Sequence, residues 1–100
     1  MNENKVKKVI EFSASWCAPC RAFGNTFHRV SEMKEYKNIE FKEIDIEKDE
    51  DGEVLAEKYQ VRSVPTTVLV DEDGEPIYKV MGNIPEKDLI TLINESLKDR

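Results

Sequence analysis

Histidine and cysteine are scarce in this chain. It holds one histidine and two cysteines in 100 residues, whereas a structural zinc site takes about four ligands. His28 follows Cys20 by eight residues, about 12 Å along a helix axis at roughly 1.5 Å per residue. It cannot complete a site with the two thiols or act as a base for either, and it reads as an ordinary helix-surface residue. No apolar run approaches the ~20 residues that a membrane helix needs, and no charged-then-apolar leader precedes the first apolar segment. A cytoplasmic protein with no membrane partner is therefore expected. Positive charge is short as well: 15 basic residues stand against 21 acidic ones, a net charge of −6, which argues against nucleic acid and anionic membranes as partners. Glycine and proline number only four each, and no repeat or flexible linker divides the sequence. The length suits one domain, residues 1–100, large enough for a single core and too small for two.

What is present is concentrated in one run. Trp16-Cys17-Ala18-Pro19-Cys20 contains both cysteines and the only tryptophan. Two thiols three positions apart can close a small disulfide and open it again. In a reducing compartment such a pair points to catalysis or metal binding rather than to a structural staple. Pro19 suits the first turn of a helix, where a backbone N–H has no partner to lose. Phe23, Phe27, Val30 and Met33 follow at spacings of four, three and three, the stripe of an amphipathic helix. Cys17 is thus expected, exposed, at a helix N-terminus, where the macrodipole and unpaired N–H groups favour a thiolate. With Cys17 as N-cap and no N–H on Pro19, the Cys20 amide is the backbone donor left for its sulfur.

The remaining pattern is α/β. A strand is expected over Lys5 to Phe12, apolar enough to lie inside a sheet. A helix follows from Ala18 to about Tyr36, then a strand from Ile39 to Ile46; strand, long helix and strand make a right-handed crossover with parallel strands. Val54 to Tyr59 reads as a short helix, and the acidic run Glu47 to Glu53 before it as a solvated loop without function. Thr66 to Val70 and Ile77 to Met81 flank Asp71-Glu72-Asp73-Gly74, a turn composition that joins antiparallel strands. Pro85 opens a last helix with Leu89, Leu92, Ile93 and Leu97 on one face. The order is β-α-β-α-β-β-α.

The run Phe12 to Cys20 resembles the end of the central strand and the active-site helix of the thioredoxin family. Val61-Arg62-Ser63-Val64-Pro65-Thr66 resembles the segment carrying the family's cis-proline, and Gly82 matches the glycine bordering its peptide-binding groove. The resemblance covers roughly Val6 to Leu97, in the family's order. It implies a minimal thioredoxin fold: a four-stranded mixed sheet with helices on both faces, lacking most of the strand-helix unit that usually precedes the central strand. It implies a protein disulfide reductase with no cofactor, a monomer that acts on protein disulfides in cell redox homeostasis and draws electrons from a thioredoxin reductase. Cys17 then attacks a target disulfide and Cys20 resolves the mixed disulfide. Trp16, Ala18, Pro19, Val64, Pro65, Thr66 and Gly82 are the implied substrate surface, with a cis Val64–Pro65 bond that lets Val64 offer its backbone to an extended peptide.

Glu11 lies six residues before Cys17, at the position of the family's buried aspartate, which exchanges a proton with the second cysteine. Buried in a central strand, a carboxylate is costly and its pKa rises, which suits it to accept a proton near neutral pH; facing water, it is only a solvated strand residue. Other positions depart from the family. The lysine paired with that carboxylate is Glu43 here, the usual helix proline is Asn25, a common tryptophan is Ser13 and the commoner glycine is Ala18. Two alternatives stay open: a glutaredoxin-like or oxidase-type member of the same fold, and a non-enzymatic subunit that grips a partner at the Trp16–Pro65 patch. The Ala-Pro spacer resembles the reductase branch.

Overall fold

The computed structural model describes residues 5–98. Its elements run β1 (Lys8–Ser13), α1 (Ala18–Ser31), β2 (Glu40–Asp45), α2 (Gly52–Lys58), β3 (Thr66–Val70), β4 (Pro76–Met81) and α3 (Glu86–Ser96). The strands form one mixed sheet in the order β2-β1-β3-β4. β1 pairs parallel with β2 and antiparallel with β3, and β3 pairs antiparallel with β4. The element order, the parallel β1–β2 pair and the antiparallel β3–β4 pair are those expected from the sequence, and the four-stranded mixed sheet among the described residues is the one the resemblance implies.

Period-two alternation along β1 builds two half-cores. Val9 joins Phe23, Phe27 and Val30 of α1 and Leu89 and Ile93 of α3 on one face. Ile10 and Phe12 join Ile44, Val68 and Val70 under Tyr59 on the other, with Leu55 and Ala56 of α2 packed against them. Helices therefore cover both faces, and β1, paired on both edges, buries all four of its inner residues. Each large side chain so removed from water stabilises the fold by about 1.5–3 kcal/mol before ordering costs.

Three expectations need correction. α1 stops at Ser31 rather than near Tyr36; Met33 is extended and a 3-10 turn follows over Lys34–Tyr36. The break turns Tyr36 inward, where its hydroxyl donates to Asn94 Oδ1 of α3 at 2.7 Å, and a continuous helix would carry that ring past the core. β1 begins at Lys8, although Lys7 already exchanges backbone bonds with Val70 and Glu40. The acidic run is only partly loop, because α2 starts at Gly52. Its turn is built on Asp45, whose Oδ1 accepts the N–H groups of Glu47 and Lys48 at 2.9 Å each.

Candidate active site

Cys17 caps α1 from an extended conformation (φ −96°, ψ 106°), and its Sγ accepts the Cys20 amide at 3.2 Å. Pro19 occupies the first turn, where its missing N–H costs nothing. The helix therefore begins as the sequence suggests, and both donor and dipole point at the sulfur. Cys17 and Cys20 are joined as a disulfide with Cα atoms 5.2 Å apart. The expected exposure of Cys17 is overturned: both cysteines are 4% exposed and pack with Ala14 against Ile46 and Val64. A segment distant in sequence covers the sulfur, with the Val64 carbonyl oxygen 3.8 Å from Cys17 Sγ.

Around the disulfide, Trp16 is 64% exposed, and Ala18 and Pro19 are exposed with it. The Val64–Pro65 bond is cis. Val64 is half-buried, whereas Pro65 is buried and its carbonyl accepts the Gly82 amide at 2.8 Å. Gly82 has φ +99°, a backbone that glycine alone adopts readily. The Thr66 side chain is fully buried and donates to the Ser63 carbonyl at 2.7 Å. Met81, 62% exposed beside Gly82, is a neighbour that sequence reasoning did not select.

Beneath this surface lies Glu11, 0% exposed. It sits in register with Glu43 on β2 and with Thr67 on β3, so three polar side chains cross the sheet in one row. Both Glu11 oxygens and Thr67 Oγ1 are buried without a hydrogen-bond partner among the described residues. Burial first, then the negative charge of Glu43 beside it, push Glu11 up to about 8. As two carboxylates the pair has no hydrogen to share; with a proton on Glu11 it has one.

A cleft of about 600 Å³ opens beside the disulfide. Cys20, Gly24 and His28 of α1 line one wall, and Glu43 and Asp45 of β2 the other. Backbone N–H groups of Lys48 and Glu47 hold the Asp45 carboxyl below its usual range. His28 is exposed and meets Glu32 Oε2 at 3.2 Å, in keeping with a helix-surface residue, although it shares the cleft with Cys20. Among the described residues, no group of three or more His, Cys, Asp or Glu side chains could hold a metal ion, and no helix is long and apolar enough to cross a membrane.

The sequence model of the family described as thioredoxin matches residues 1–95. Among curated relatives, a thioredoxin of Aspergillus fumigatus is 42% identical over 77% of this chain and 66% of its own length. A thioredoxin of Mycoplasmoides gallisepticum is 36% identical over 93% of this chain and 86% of its own. Among solved structures, a mutant thioredoxin of Halobacterium salinarum superposes with a TM-score of 0.78 at 32% identity, over 95% of this chain and 77% of that one. The thioredoxin of Malassezia sympodialis gives a TM-score of 0.78 at 26% identity, over 94% and 78%.

Proposed function

The chain belongs to the thioredoxin family and is a thiol–disulfide oxidoreductase, and from that premise we propose that it works as a general protein disulfide reductase with Cys17 as nucleophile. The observation that carries this reading is the Cys17 sulfur at the start of α1, with the Cys20 amide donating to it. In the reduced protein the same amide and the helix dipole favour the Cys17 thiolate. That thiolate attacks one sulfur of a target disulfide, forming a Cys17–target bond, and the other target sulfur leaves with the electron pair and takes a proton. The Cys20 thiolate then attacks Cys17, re-forming the internal disulfide and releasing the second target thiol. Two electrons pass from the cysteine pair to the target.

The Ala18-Pro19 spacer, with no histidine between the cysteines, supports the reducing direction. Exposed Trp16, Ala18 and Pro19 with half-buried Val64 and Gly82 supply the target surface; Pro65 and Thr66, both buried, act through backbone geometry. Glu11 accepts the Cys20 proton from below. Residues 1–100 act as one monomeric domain in cytoplasmic redox homeostasis, with a thioredoxin reductase as electron donor. The test is reduction of insulin disulfides with NADPH and a thioredoxin reductase, against glutathione as alternative donor. Turnover with the reductase is expected; turnover with glutathione alone would move the protein to the glutaredoxin-like branch, and none with either would leave a partner-binding role.

A further inference from the structure

Glu43 occupies a place where the sequence led only to the loss of a lysine. We propose that Glu43 is a positioning residue for the proton of Glu11, the two carboxyls acting as a pair that holds one proton between the strand interior and the Cys20 cleft. This rests on the reductase reading for its use in turnover, though not for its existence.

Three observations place the pair. Glu11 and Glu43 are direct neighbours in the parallel β1–β2 ladder and point to the same face. Glu11 is sealed from water, with neither oxygen hydrogen-bonded among the described residues, while Glu43 is exposed and lines the cleft with Cys20. Gly24, in the middle of α1, leaves the space into which Glu43 reaches: a Cβ there would stand 3.2 Å from Glu43 Oε2. Glycine inside a helix costs roughly 0.5–1 kcal/mol relative to alanine, so its presence opposite Glu43 opposes helix stability and favours room for the carboxyl.

Two carboxyls paired on one rung of the β1–β2 ladder, one of them buried, cannot both ionise cheaply, and one proton is retained. A buried acid also exchanges protons only through a group that meets solvent. In the resolving step, the proton that leaves the Cys20 thiol passes to the pair and then from Glu43 to cleft water, while the Cys20–Cys17 bond forms and the target sulfur departs with its electrons. Other charged or titratable groups line the cleft: α1 contributes Arg21 and His28 and β2 contributes Asp45, while the residue opposite Glu11 on β3 is the neutral Thr67. Arg21 is engaged with the Ser15 carbonyl at 3.1 Å and His28 with Glu32, which leaves Glu43 as the acid in register with Glu11.

The test is carboxyl carbon-13 NMR titration of the full-length oxidised protein, followed by the pH profile of mixed-disulfide resolution in the reduced one. Glu43→Gln at this exposed position should lower the Glu11 midpoint by about one unit, tenfold in proton affinity, and Glu43→Lys should lower it further. Gly24→Ala keeps the helix and every charge while crowding Glu43, and should lower the midpoint by less. The pH profile of resolution should move with the midpoint, KM staying unchanged. An unmoved Glu11 midpoint in Glu43→Gln overturns the pair, as does a resolution profile that stays fixed while the midpoint moves. Moved midpoints in a protein that never reduces insulin support the carboxyl pair and overturn the reductase reading instead.

Discussion

Glu11 and Thr67 stand opposite each other across β1 and β3, and all three of their side-chain oxygens are buried without a hydrogen-bond partner among the described residues. Leaving such a group unmatched costs about 1–3 kcal/mol. Thr67→Val replaces the hydroxyl by a methyl of similar shape in a site that gives it no partner. Its expected effect is neutral to stabilising by about 1 kcal/mol, read from urea unfolding midpoints. A loss of more than about 1 kcal/mol would mean that Oγ1 has a partner, such as an ordered water.

The pH dependence of stability follows from Glu11. Its folded pKa, about 8, lies above the ordinary 4.5, so the folded state holds a proton that the unfolded chain has released. Stability from this group is complete below about pH 4.5, declines as pH climbs and is lost once pH passes about 8. At about 1.4 kcal/mol per unit, the decline amounts to a few kcal/mol. Glu11→Gln should flatten it, so that the variant is no more stable than wild type near pH 5 and clearly more stable near pH 9. Parallel curves for the two proteins would place Glu11 in contact with water.

Cysteine variants separate the two sulfurs by role. Cys17→Ser should abolish insulin reduction, whereas Cys20→Ser should accumulate a covalent Cys17–target disulfide visible by mass spectrometry. In the reduced wild type near neutral pH, iodoacetamide should modify Cys17 well before Cys20, since the helix start favours its thiolate. Equal modification of the two would reverse the assignment.

Trp16 is exposed next to a buried disulfide, so it can serve contact with a target more than the core. Trp16→Ala should lower kcat/KM for insulin by about tenfold, or about 1.4 kcal/mol, with the redox potential and unfolding midpoint little changed. Full retention of kcat/KM with a protein target would remove Trp16 from the recognition surface.

Local chemistry was the legible part of this molecule. The Cys17 cap could be read because Pro19 withdraws the competing N–H, and β3 could be read to the residue because Pro65 and Asp71 bracket it. The end of α1 could not, because Tyr36 turns inward to reach Asn94, far along the chain. The burial of Cys17 escaped for the same reason: its cover, Val64, arrives by a crossover. Glu43 was visible only as a departure from a family pattern. Its partnership with Glu11 depends on strand register, and register is set by the packing of Val9 and Phe41 on one face as much as by the two acids themselves.

The strand order β2-β1-β3-β4 carries a consequence for how the chain assembles. β1, made before the other three described strands, is interior, and its second edge waits for β3. The Val6 amide waits longer still, for the Ser96 carbonyl at the end of α3. A nascent chain bearing only β1, α1 and β2 has a one-sided sheet with an open, apolar edge. Such an edge attracts other chains, and the contacts that close it are remote in sequence and slow to form. Folding of this unit therefore waits for β3 and α3 to be made, and removal of α3 should leave a chain that collapses and aggregates rather than a smaller folded unit.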